Sequence, residues 1–226
     1  MEPGFTSKNY AISKDGKQIV FAKKDQNGIS HLWIALADRR SPPRQVPSTS
    51  SDDSPSFLPD GDVIFRAIEG GGAFLYRSRP DGTNRRKVVP DPIFDFFGTS
   101  PDGRWAVAQA KAPDDQHQHY FVAFPAEGGQ AVRLSNSLVL MGWNTNGFHF
   151  YLTFGASGFR NSYVLPVLPA RGLPDLSAEG VLGGDDLKTI PRVQTIPHAV
   201  DSMISADSYS YTRQTTRRNI YRIPLP

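Results

Sequence analysis

The sequence predicts an all-β protein, a β-propeller of about five four-stranded antiparallel blades, the last one incomplete. Three observations predict it. First, one segment recurs: Tyr-Ala-Ile-Ser-Lys-Asp-Gly-Lys-Gln-Ile-Val-Phe at 10–21, Pro-Ser-Phe-Leu-Pro-Asp-Gly-Asp-Val-Ile-Phe at 55–65 and Phe-Gly-Thr-Ser-Pro-Asp-Gly-Arg-Trp-Ala-Val-Ala at 97–108, with weaker copies at 141–152 and 203–212. Its turn glycines Gly16, Gly61, Gly103 and Gly147 stand 45, 42 and 44 residues apart. Second, each copy reads as strand, turn, strand, because Asp-Gly or Asn-Gly supplies the positive φ of a tight turn and β-branched or aromatic residues follow. Third, another hairpin lies between copies, clearest at 75–89, with analogues at 31–46, at 120–134 and from Ser162 onward. Four short strands per period of about forty-odd residues describe a propeller blade, which buries its two faces against its neighbours.

Taken in order, the blades fall at 9–50, 51–91, 92–136, 137–170 and 199–226, with an insertion at 171–198. In blade two, Gly70-Gly71-Gly72 is a hairpin loop, since no helix follows it to make a phosphate cradle. Blade five runs out after a third strand at 219–224, and about eight residues precede blade one. Ring closure is therefore incomplete or shared. An open ring would expose about five large apolar side chains on each terminal blade, worth about 10 kcal/mol per blade at roughly 2 kcal/mol each. The insertion is the one place where helix is expected: Asp185 would cap a turn or two before Pro191 ends it, and the segment would pack as a lid over one end of the channel.

Composition narrows the function. The 226 residues include 20 glycines, 19 prolines and no cysteine, so turns are frequent and disulfides, thiolate metal sites and cysteine nucleophiles are excluded. A formal charge of +3 is too mild to make a nucleic-acid surface. No apolar run reaches the roughly 18 residues of a membrane span, and the first 17 residues lack an apolar signal core. As encoded the chain is expected in the cytoplasm; as a fragment of a longer membrane-anchored protein it would lie outside it.

Ser-Pro-Asp-Gly at 100–103, its variants at 13–16 and 57–61, and the Leu-Tyr…Asp-Gly-Thr…Arg stretch at 75–86 resemble the TolB-type, WD-like propeller repeats of bacteria, over most of 9–224. The closing stretch 211–226 is similar to the C-termini of propellers fused behind bacterial serine/threonine kinase domains or winged-helix regulators. The resemblance implies a scaffold or sensor that engages a protein, peptide or small ligand at a channel mouth, without cofactor. It carries no kinase activity, because the Gly-rich loop, catalytic Asp loop and Asp-Phe-Gly are absent.

Candidate site residues follow from position in the repeat. Asp53 and Asp95 each lie seven residues before the turn aspartates Asp60 and Asp102, and Asp201 lies six before Asp207. All three would enter an innermost strand near one rim. As ligand-binding candidates they stand with Trp143, which would line the channel. Two readings of the aspartates compete. In the favoured one they accept hydrogen bonds from loop amides. In the alternative they form a glycoside-hydrolase-like set, an acid and a base about 6.5–9.5 Å apart, although Lys8 and Val139 at the equivalent positions break the ring of acids. His117 and His119 are weak metal candidates, with Asp114 or Asp115 nearest, since alternate residues of a strand point the same way. Gly155-Ala156-Ser157-Gly158 lacks the spacing of a nucleophile elbow. Arg39, Arg40, Arg44, Arg85, Arg86, Lys87, Arg213, Arg217 and Arg218 read as solvated outer edges, and Trp33, Trp105, Trp143, Phe65 and Tyr76 as inter-blade packing, with channel lining the second reading of Trp143. The expected partners are a protein or peptide, and a second copy joined through the incomplete terminal blade.

Overall fold

The computed structural model describes residues 9–111, 119–137, 140–154 and 161–211. Blade one comprises β1 (Tyr10–Ile12), β2 (Gln18–Lys24), β3 (Ser30–Leu36) and β4 (Arg44–Gln45). Blade two comprises β5 (Ser51–Phe57), β6 (Val63–Glu69), β7 (Gly72–Ser78) and β8 (Arg86–Lys87). Blade three comprises β9 (Ile93–Thr99), β10 (Trp105–Lys111), β11 (His119–Pro125) and β12 (Val132–Ser135). Blade four comprises β13 (Leu140–Trp143), β14 (His149–Phe154), β15 (Asn161–Leu168) and β16 (Leu173–Pro174). The helix α1 (Gly184–Lys188) and β17 (Gln194–Ile196) follow, and blade five shows β18 (Val200–Ser205) and β19 (Ser208–Tyr211). The third strand expected at 219–224 lies outside the described residues, as do Lys8, Val139 and the segment 155–158.

Every sheet is antiparallel with strands in chain order, and the first strands β1 and β5, β5 and β9, and β13 and β18 lie against one another, so the first strands are innermost. The blades are sandwiched by four apolar clusters. Val20, Leu32 and Ile34 meet Val63, Phe65 and Ala67 between blades one and two. Ile64 and Leu75 meet Ala106, Ala108 and Phe124 between two and three. Val107, Phe121 and Ala123 meet Phe150, Leu152 and Leu165 between three and four. Tyr151 and Val164 meet Val200 and Met203 between four and five. Period-two alternation along each strand thus feeds both neighbours.

The repeated turn is held by its own side chains. Ser13 Oγ donates to Asp15 Oδ1 (2.7 Å) and accepts from the Gln18 amide (2.9 Å); Ser100 Oγ does the same with Asp102 (2.6 Å) and Trp105 (3.0 Å), and Asn144 Oδ1 accepts from the His149 amide (2.9 Å). These turns close from Ser13 to Gln18, Ser100 to Trp105 and Asn144 to His149. Blade two has Leu58 where the others have Ser or Asn, and its turn closes one residue sooner, from Leu58 to Asp62. Aligning the blades on their glycines therefore misplaces β6 by one residue, and a one-residue slip exchanges the two faces of a strand. The structural equivalents of Val63 are Ile19, Ala106 and Phe150. Adjacent turns also approach closely: a Cβ on Gly103 (φ +73°) would lie 2.2 Å from Pro59 Cδ. The hairpin at Gly70-Gly71, with φ of +56° and +82°, is the two-residue turn that joins β6 to β7.

Two expectations are corrected here. Arg86 is exposed on the outer strand as expected, but Arg85 and Lys87 do not form a solvated edge. Arg85 lies across the face of blade two, 4.5 Å over the Tyr76 ring and 4.8 Å over Phe65, to reach Asp52, which is 0% exposed. Arg86 bonds Glu127 of blade three at 2.7 Å, and Lys87 bonds Glu69 at 2.8 Å over the Phe74 ring. Outer-strand cations are long enough to lie back across the sheet, which their place in sequence conceals. The insertion, likewise, sits at the periphery and not over the channel. Leu173–Pro174, inside the segment 171–198, is the outer strand β16, and β17 pairs the same edge of β15 further along. Between them the chain crosses to β12, where the Val181 amide donates to Leu134 O (3.1 Å) and Val181 O accepts from the Asn136 amide (2.9 Å). Val181 and Leu187 are buried in the cluster between blades three and four. Helix α1 forms where expected, but its cap is Gly183. Asp186 accepts from the amides of Leu182 (2.7 Å) and Gly183 (3.2 Å), while Asp185 pairs with Lys188 (2.6 Å).

Candidate functional site at the channel mouth

In an antiparallel four-stranded sheet the turns after the first and third strands lie at the same end, so this end of every blade gathers the Ser-x-Asp-Gly turns and the outer hairpin loops. Three clefts open there. The first, of about 620 Å³, lies between the turns of blades two and three and the β15–β16 loop, with Arg77, Trp105, Glu127 and Arg171 in its wall. The second, about 600 Å³, lies between blades one and two, with Lys14 and Arg79 in its wall. The third, about 500 Å³, is lined by Trp143, Phe148 and Pro169 of blade four, by Pro101 of blade three and again by Lys14. They share walls. Leu58, Pro59 and Asp60 belong to the first and second, Asp102 and Arg104 to the first and third, and Lys14 to the second and third. The mouth is thus one continuous surface around the point where the turns of blades one, two, three and four converge.

Its electrostatics are fixed by bonded pairs. The Arg77 side chain is 9% exposed; its Nε donates to Asp62 (2.8 Å) and its two Nη groups to Asp60 and Glu127. Burial opposes that charge, but the three carboxylates outweigh it and raise the Arg77 pKa above its usual value. Arg104 Nε donates to Asp102 (2.7 Å) and its Nη groups to the carbonyls of Pro169 (2.7 Å) and Ala170 (2.8 Å), tying blade three to blade four. Burial works against the Asp102 carboxylate too, yet the Ser100 hydroxyl and the Arg104 amide and guanidinium hold its pKa below the usual range. The two indoles are anchored by donated bonds, Trp105 Nε1 to Arg171 O (2.6 Å) and Trp143 Nε1 to Gly172 O (3.3 Å), leaving ring surface in the cleft walls. The mouth offers fixed aromatic and proline surface bordered by charge.

The aspartates singled out in the sequence lie elsewhere. Asp53 is cross-strand from Arg66, which grips it through Nε (2.8 Å) and Nη2 (2.7 Å) and donates Nη1 to Phe94 O (2.7 Å) of blade three. The bidentate bond to Asp53 is the main cause of a raised Arg66 pKa, and Asp95 adds to it electrostatically. Asp95 Oδ1 accepts from the Phe96 amide at 2.9 Å. Asp53 and Asp95 are thus brought together through Arg66, as a charged latch between blades two and three. Asp201 is exposed and lies by Tyr151, whose hydroxyl donates to Asp201 O (3.2 Å); burial first, and the Asp201 charge second, raise the Tyr151 pKa. Trp143 packs against the cluster between blades three and four and also lies in the wall of the third cleft. His119 packs edge-on against Phe94, ring centres 4.6 Å apart, and among the described residues no three His, Asp or Glu side chains gather as a metal site. His117, Asp114 and Asp115 lie outside the described residues. Sequence reasoning missed Lys14, Arg77, Trp105 and Glu127 as lining residues. The available signal was that Lys14, Pro59 and Pro101 hold the same place in three copies of one turn.

No protein-family model matches the chain, and no curated protein matches it by sequence. By structure it is similar to TolB from Acinetobacter baumannii, with TM-score 0.57 and 17% identity, covering 70% of this chain and 40% of that one. It is similar also to the putative TolB of Agrobacterium tumefaciens, with TM-score 0.58 and 14% identity over 83% of this chain and 63% of that one. An oligogalacturonate lyase in complex with manganese matches with TM-score 0.52 and 14% identity, over 72% and 50%. The chain spans 40 to 63% of the length of these proteins, and at such identities the likeness is one of fold. With its repeated turns, consecutive four-stranded sheets and face-to-face blade cores, the chain has the fold of the TolB-type β-propellers.

Proposed function

We propose that the chain is a non-catalytic binding module that takes a peptide segment of a protein partner across the channel mouth. The observation that carries this reading is the sharing of walls by the three clefts: Lys14, Leu58 to Asp60, Asp102 and Arg104 join them into a surface longer than one small-molecule pocket. Such a trough suits an extended chain whose side chains enter successive clefts, with Trp105 and Trp143 as rigid apolar contacts and the bordering ion pairs as partners for its backbone. The glycosidase alternative needs two carboxyl groups free to give and take a proton. Asp53 is held bidentately by Arg66, which supports the binding reading over it.

The test is selection of random twelve-residue peptides displayed on phage against the full chain, followed by calorimetry of the enriched sequences. Peptides that bind the native chain and lose at least tenfold in affinity on Trp105→Ala and on Lys14→Glu would bear the reading out. No enrichment, or enriched peptides indifferent to both substitutions, would sink it.

A further inference from the structure

Of the cations that line the mouth, Arg77, Arg104 and Arg171 already pair with carboxylates, Arg171 with Asp175 at 3.5 Å. Lys14 and Arg79 do not: both are exposed, and among the described residues neither side chain has a hydrogen-bond or ion-pair partner. The two meet in the cleft between blades one and two, whose carboxylates Asp15, Asp60 and Asp62 are all engaged. Asp15 accepts from Ser13 Oγ (2.7 Å) and from the Lys17 amide (3.1 Å), with the Lys17 ammonium at 3.9 Å. Asp60 and Asp62 are both taken by Arg77, the latter at 2.8 Å. Asp81 stands near Arg79 and Arg44, but its carboxylate accepts from the Thr83 amide (2.9 Å) and hydroxyl (2.7 Å). The backbones that carry the two cations are held by their turns. Ser13 N donates to Gln18 O across Lys14, and Arg79 closes the β7–β8 turn by donating to Thr83 O and accepting from the Gly82 amide, all at 2.9 Å. Between the cations the wall is apolar, formed by Phe57, Leu58, Pro59 and Pro80.

We propose that this cleft selects for a carboxylate: the bound segment places a glutamate or aspartate side chain between Lys14 and Arg79, its methylenes against the prolines. This rests on the reading of the mouth as a peptide-binding surface and adds the sign of the charge it takes. A carboxylate gives both cations a partner and breaks no bond already made. A lysine or arginine on the segment would have to compete with Arg77 and Lys17 for carboxylates that they hold, so the same wall discriminates against positive charge. Lys14 also belongs to the third cleft, beside Trp143, Phe148 and Pro101. The preferred segment is therefore one in which an acidic residue lies close to an apolar or aromatic one.

The peptides selected on the full chain supply the test. Enriched sequences are expected to share a Glu or Asp, and in calorimetry at low salt its replacement by Gln or Asn should weaken binding about tenfold. Arg79→Gln should weaken the parent peptide about fivefold and leave the neutralised peptide unchanged, as a direct pair requires. Lys24→Gln removes the same charge at the far end of β2 and should alter neither. Raising the salt from about 20 to about 300 mM should erase most of the difference between the two peptides. Peptides that bind without an acidic residue, or whose acidic residue can be neutralised without loss, overturn the carboxylate proposal and leave the peptide-binding reading standing. A loss with Lys24→Gln equal to that with Arg79→Gln overturns it as well, since net charge and not the cleft is then responsible. No enrichment at all overturns both.

Discussion

Replacing Arg85 by Met should destabilise the protein more than any other single change at its surface. Asp52 is 0% exposed and its carboxylate accepts from Arg85 Nη1 and Nη2, both at 3.0 Å, and from Ser50 Oγ at 2.8 Å. Met preserves the packing over Phe65 and Tyr76 but leaves the carboxylate buried with one hydroxyl. Removing one partner of a buried pair costs about 3–5 kcal/mol. Arg85 retains 21% exposure, so the lower end applies, about 3 kcal/mol, or about 6–12 °C in Tm for a domain of this size. Urea unfolding at pH 7, followed by tryptophan fluorescence, measures it. The companion variant Asp52→Leu with Arg85→Met removes both charges and should recover most of the loss, because a buried pair exchanged for apolar residues is close to neutral. A loss below about 1 kcal/mol for Arg85→Met, or a double variant no more stable than the single one, would refute the reasoning.

Three further outcomes can be measured the same way. Arg66→Met should cost about 2 kcal/mol by cutting the latch between blades two and three, and Arg66→Lys should restore little of it, because an ammonium cannot reproduce the bidentate grip on Asp53. Gly103→Ala should destabilise clearly more than Gly16→Ala: both need positive φ, but the new methyl would meet Pro59 at 2.2 Å in the first and nothing within 4 Å in the second; equal losses would argue against the close approach of the turns. Asp102 has a folded pKa below its unfolded value, so its contribution is present above the unfolded value and is lost as pH falls through the folded one. Stability should therefore fall on acidification below about pH 5, and Asp102→Asn should flatten part of that slope; an unchanged slope would show that the Ser100 and Arg104 bonds do not hold the carboxylate.

The turns were legible because their chemistry is local. Ser13, Asp15 and Gly16, or Ser100, Asp102 and Gly103, specify their hydrogen bonds within six residues, and the hairpins at 31–46, 75–89 and 120–134 were found from the same kind of signal. The face assignment of blade two was not legible, because Leu58 in place of serine shortens the turn while leaving Pro-Asp-Gly unchanged to the eye. The candidate site was read in part. Trp143 was read chiefly as packing between blades, and it does pack against the cluster between blades three and four, but the meeting of Arg77, Trp105 and Glu127 was not legible, since it depends on two blades being stacked. Asp53 and Asp95 were expected to bond loop amides, and the guanidinium that holds Asp53 was not legible because Arg66, thirteen residues past it, reads in sequence as an ordinary strand residue.

By itself the sequence determined a reiterated sheet of four strands, since turn residues and alternating side chains act over distances shorter than one repeat. Tertiary structure alone decided which neighbour each apolar side chain meets, that the insertion straps the rim of blades three and four, and that three clefts share walls at Lys14, Leu58 to Asp60, Asp102 and Arg104. Those outcomes arise between blades, where contacts join residues some forty positions apart and a shift of one residue in a strand exchanges core for solvent.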